Sequence, residues 1–136
     1  MDFKNMSDVE LAEFIVELIT KVSILKQQLN DYLEDNNRTT SLENNIKSSY
    51  RQLKTDFQEY YHYLSLVKNE SGSILYESYF YYSIRDAYVK GFYSPKNSKI
   101  NIRMLNSVSE ALEELNYLLP IESWNKIANK DSDVIL

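Results

Sequence analysis

The sequence predicts an all-α fold: a long antiparallel, coiled-coil-like helical hairpin with two to three further helices packed on it as a bundle. Three observations predict it. Leu11, Ile15, Leu18, Val22, Leu25, Leu29 and Tyr32 recur at alternating steps of four and three, and Ile46, Tyr50, Leu53, Phe57, Tyr60, Leu64 and Val67 repeat that spacing. Such a repeat keeps one seam of a helix against a neighbour. The two runs flank a polar middle, so folding back about Thr39 sets Leu11 beside Val67 and Tyr32 beside Ile46. Only two glycines and two prolines occur, too few for a fold built on many tight turns.

The first helix is expected to open at Ser7. Ser7-Asp-Val-Glu10 is a capping box, in which hydroxyl and carboxylate each satisfy an exposed backbone donor. Phe14, Ile19 and Leu33 widen its stripe beyond one seam, so it packs on more than one neighbour. It fades at Glu34-Asp-Asn-Asn37, residues that compete for their own backbone. Thr40-Ser-Leu-Glu43 is a second capping box and starts a helix that runs to Val67, ahead of Asn69-Glu-Ser-Gly-Ser73. A helix of this kind is roughly 40 Å long at about 1.5 Å per residue.

Residues 74–93 hold eight aromatics in twenty positions. Tyr76, Phe80, Ile84, Ala87 and Tyr88 share a helical face, strand-like alternation is lacking, and Asp86, Ala87 and Lys90 favour a helix ending near Gly91. Ser94–Ser98 reads as a loop, and Lys99–Met104 as irregular chain or an early helical turn. Ser107-Val-Ser-Glu110 is a third capping box, opening a helix that buries Val108, Leu112, Leu115 and Leu119 and ends at Pro120. A short helix through Trp124 and Ile127 follows. Residues 1–130 thus read as one helical domain and 131–136 as a frayed tail.

Several chemistries find no support. The chain has no cysteine, which excludes disulfides, thiol nucleophiles and thiolate metal sites. His62 is the sole imidazole, lies off the seam and reads as a surface residue. Glu10, Glu13, Glu17 and Glu110, Glu113, Glu114 fall outside the apolar stripes and read as solvated faces rather than a metal site. Gly72 and Gly91 stand alone, so no phosphate-cradling loop exists. No metal and no cofactor are expected. Neither a signal peptide nor a run of ~18 apolar residues occurs, so a soluble, cytoplasmic protein without membrane contact is expected.

The net charge of −5 is unevenly spread. Residues 85–103 carry Arg85, Lys90, Lys96, Lys99 and Arg103 against Asp86 alone, a basic island between acidic ends. Within it, Arg85-Asp86-Ala-Tyr-Val-Lys90 resembles the Arg-polar-x3-His signature of HEPN domains, small helical bundles that often cleave RNA with an Arg and a His. Arg85 and Asp86 match, but Lys90 stands where that family has its histidine. The resemblance covers six residues and implies at most a degenerate RNA-processing domain, whose Arg–Lys pair holds phosphate without cutting it.

The leading expectation is therefore a non-catalytic protein-binding module of the inhibitor, immunity or mobile-element accessory (counter-defence) kind. Its partner surface would be Tyr79, Tyr82, Arg85, Tyr88, Lys90, Phe92, Tyr93, Lys96, Lys99 and Arg103, since tyrosine gives contact area at low entropy cost. The partner is another protein or a second copy of the chain. Nucleic acid is the alternative, held by the basic island with Tyr88, Phe92 and Tyr93 stacking on bases. The acidic balance weighs against it.

Overall fold

In the computed structural model, residues 5–34, 38–67, 78–93 and 99–117 are described, and they are helical almost throughout. Helix α1 spans Asp8–Glu34 and α2 spans Thr40–Val67. Helix α3 spans Ser78–Tyr88 and runs directly into a π-helical turn at Val89–Tyr93. Helix α4 spans Ile102–Asn116. The expected helix around Trp124, the loop at 94–98 and the tail at 131–136 lie outside the described residues.

Local signals explain the starts of α1, α2 and α4. The Ser7 box forms as read: the Glu10 amide donates to Ser7 Oγ at 3.2 Å, and the Ser7 amide donates to Glu10 Oε1 at 3.2 Å. The second box does not form. Thr39, one residue earlier, caps α2 by accepting the Leu42 amide at 3.1 Å, and Glu43 instead holds Lys47 at 2.8 Å. With the cap at Thr39, Glu43 stands one residue past the position that can reach back. The third box is also superseded. Ser107 lies inside α4, which begins at Ile102 because Asn101 Oδ1 accepts the Met104 amide at 3.0 Å. This earlier start adds Met104 and Leu105 to the buried stripe of Val108, Ala111 and Leu115.

The helices close into a ring. α1 and α2 are antiparallel: the Phe14 ring sits edge-on to Tyr60 at 5.2 Å, and Lys21 and Ile24 share a cleft of about 340 Å³ with Ser48, Ser49, Gln52 and Leu53. Thus Phe14, one turn before Leu18, meets the ring that pairing about Thr39 assigns to Leu18. α3 and its π-turn run antiparallel to α2, with Tyr88 meeting Gln58 and Tyr61, and Phe92 meeting Tyr50 and Phe57. α4 starts beside the end of α1, where Leu33 and Glu34 line one cleft with Ile100, Asn101, Ile102 and Leu105. It packs on α1 and on α3, so the order up-down-up-down yields a four-helix bundle with α1 and α3 on a diagonal. Every seam residue from Leu11 to Leu29 and from Ile46 to Leu64 is buried in one core with Ile84, Ala87, Phe92 and the α4 stripe.

Candidate functional site

The basic, tyrosine-rich segment divides into an inner and an outer side, and helix geometry assigns each residue. Ile84, Ala87 and Tyr88 recur at three and four and face the core. At Val89–Tyr93 the winding loosens to π, which advances less angle per residue and carries Phe92 round to the buried side. There Phe92 stacks at 4.9 Å on both Phe57 and Tyr50. Tyr50 also donates its hydroxyl to the Gly91 carbonyl at 2.7 Å, fixing the widened turn to α2. On its other flank Gly91 lies against α4, where a Cβ would meet Ala111 Cβ at 2.6 Å.

Two residues assigned to the partner surface are therefore core residues. Tyr88 and Phe92 are buried, because the stacked rings of α2 take up their faces, and the Tyr88 hydroxyl accepts from Gln58 Nε2 at 2.9 Å. Neither offers a ring to a protein surface or to a base. Tyr79 falls in the first turn of α3 with its side chain outside the described atoms, and Lys96 lies outside the described residues.

The outer side presents Tyr82, Val89 and Tyr93, exposed at 46, 49 and 61 %. Tyr82 and Val89 are two helical turns apart and Tyr93 closes the π-turn that Val89 opens, so the three lie along one stripe. Arg85 and Asp86 sit between them, half-buried. The Arg85 guanidinium lies over the Tyr82 ring at 4.6 Å, and its Nε and Nη2 both donate to Asp86 Oδ1, at 3.1 and 3.0 Å. The spacing of seven between Tyr82 and Val89 is the sequence signal that would have added Val89.

The basic residues do not converge on one point. Arg85 is engaged on its own helix, whereas Lys90 bonds Glu114 across on α4. The Glu114 hydrogen bond raises the Lys90 pKa above the usual lysine value; desolvation opposes it, and the charges of Glu114, Asp86 and Glu110 add to the rise. The two basic positions of that six-residue stretch, Arg85 and Lys90, thus each lie beside a different carboxylate. Lys99 and Arg103 are exposed near the start of α4, where Glu34 and Arg38 line the neighbouring cleft of about 440 Å³. His62 is exposed on α2. Among the described residues no group of three His, Asp or Glu side chains is placed to hold a metal ion, and no helix is long and apolar enough to cross a membrane. The chain matches no family model, no curated protein and no solved structure.

Proposed function

We propose that this chain is a non-catalytic protein-binding module whose contact face is the outer side of α3 and its π-turn. The observation that carries the reading is the stripe of Tyr82, Val89 and Tyr93, left facing water while Ile84, Ala87, Tyr88 and Phe92 turn into the core. Single exposed apolar residues are ordinary on any protein, but an aligned set with a planar cation in its midst has the make-up of a recognition surface. Stacking on Tyr82 already restrains Arg85, so both side chains enter a contact having lost part of their freedom. Arg85 and Lys90 each have a carboxylate beside them, which favours a protein partner over a polyanion.

The test compares three baits in host extract: the native chain, the double variant Tyr82→Ser/Tyr93→Ser, and Val16→Ser, which alters an exposed apolar residue on α1. The expected result is a protein recovered at near-stoichiometric yield by the native chain and by Val16→Ser, and lost with the double variant. Circular dichroism should show the same helicity in all three. Equal recovery by all three baits would move the contact away from α3.

A further inference from the structure

We propose that the partner of the α3 face is an acidic protein segment, which sets two carboxylates on Arg51 and Lys54 of α2 and an apolar residue against Val89 and Tyr93. The inference rests on the protein-binding reading above and adds the chemistry of the partner. Contacts with α3 define one flank of α2: Tyr50 bonds the Gly91 carbonyl, Gln58 bonds the Tyr88 hydroxyl, and Tyr61 meets the Tyr88 ring edge-on at 6.0 Å. Lys54 is one turn after Tyr50 and one turn before Gln58, so it shares that flank, level with the π-turn. It is half-buried, and Arg51, one turn earlier, is exposed beside it. Tyr93 closes the π-turn with its ring edge-on to Tyr88 at 5.7 Å. A pair of cations on α2 therefore runs alongside the exposed apolar stripe of α3.

The charge balance sets this pair apart from the other bases nearby. Lys47, Arg85 and Lys90 each already bond a carboxylate, from Glu43, Asp86 and Glu114. Arg51 and Lys54 have no ion pair among the described residues. The remaining acids of α2 sit on its other flank. Asp56 accepts from Gln52, which lines the cleft shared with Lys21 of α1, and Glu59 follows one turn on. On a chain of net charge −5, two unpaired cations one turn apart are a local reversal of sign, and carboxylates are what they complement. Glutamates one turn apart on a facing helix have the same spacing as Arg51 and Lys54. Apolar anchors at helical spacing then fall on the side of Val89 and Tyr93. Nucleic acid fits less well, because its affinity grows with the number of phosphates neutralised, and the Tyr88 ring is buried rather than open to a base.

The experiment is fluorescence anisotropy with two labelled helical peptides. One presents a row of leucines flanked by pairs of glutamates one turn apart; in the other every glutamate is replaced by glutamine. The native chain should bind the glutamate peptide about ten-fold more tightly than the glutamine peptide, and the preference should shrink as salt is raised. Arg51→Glu/Lys54→Glu should remove the preference, whereas Tyr82→Ser/Tyr93→Ser should weaken both peptides alike. Thermal melts check that the variants fold, and the exchange of peptides needs no variant at all. Equal binding of the two peptides, binding of neither, or a preference that survives the charge reversal overturns the inference. So does displacement of the glutamate peptide by an equal concentration of single-stranded oligothymidylate, which would assign the cations to phosphate. The bait comparison is read separately. Capture lost with the tyrosine variant, together with equal binding of the two peptides, keeps the protein-binding reading and rejects only the acidic partner.

Discussion

At Gly91 the π-turn lies close against α4, and the missing side chain is what allows it. A Cβ there would sit 2.6 Å from Ala111 Cβ, inside any ordinary contact, and the Ser107 carbonyl oxygen would be 3.2 Å away. Gly91→Ala should therefore destabilise the protein by about 1–3 kcal/mol through overpacking, read as a lower urea midpoint. Adding Ala111→Gly should recover part of that loss, whereas an unrelated cause would leave the two effects additive. On the other side of the same turn, Tyr50→Phe keeps the ring against Phe92 and removes the hydroxyl that donates to the Gly91 carbonyl. We expect it to cost about 1 kcal/mol, the net worth of one buried hydrogen bond, read in the same urea titration. The sequence shows a glycine near a helix end, which suggests a terminus. It does not show that Gly91 is a point of approach inside a continuing helix, because that depends on Ala111, twenty residues on in the chain.

At the scale of elements, the seams were legible and the caps only in part. Leu11 to Leu29 and Ile46 to Leu64 are buried as their spacing requires, since a repeat of four and three has one geometric solution in a helix. The start at Ser7 was legible for the same local reason. Thr39 against Thr40, and Asn101 against Ser107, were not: each pair offers alternative side chains within reach of a helix start, and tertiary burial of Met104 and Leu105 chooses the longer α4. Asn101→Ala should lower stability by about 1 kcal/mol in chemical denaturation. Ser107→Ala should be neutral or slightly favourable, since alanine suits a helix interior better than serine. The reverse pattern would show that α4 starts at the later box. The division of α3 into an inner and an outer side was half legible. The alignment of Tyr82 and Tyr93 follows from helical spacing, but the burial of Tyr88 and Phe92 rests on Tyr50 and Phe57, which are far away in sequence.

Across the whole molecule, the four described helices share one core, so damage at a single seam is felt throughout that core. Leu18 and Leu53 are each 2 % exposed, on α1 and α2. Leu18→Asp or Leu53→Asp places a carboxylate inside the apolar core, and either should abolish cooperative thermal unfolding and most helicity. Both variants retaining the native melting temperature would show that the α1–α2 seam does not hold the bundle together. By contrast Tyr82→Ser should change stability by less than about 0.5 kcal/mol, because its ring lies outside the core.

The ring of contacts also sets an order of events during synthesis. α1 is covered on one side by α2 and on another by α4, the last of the described helices to be made. While the chain is growing, α1 and α2 can pair as soon as both have left the ribosome, but the flank of α1 that belongs to α4 stays bare until residue 116 has emerged. The half-made hairpin, rather than the finished bundle, is then the adhesive species in the life of this protein, and the place where a chaperone would find purchase.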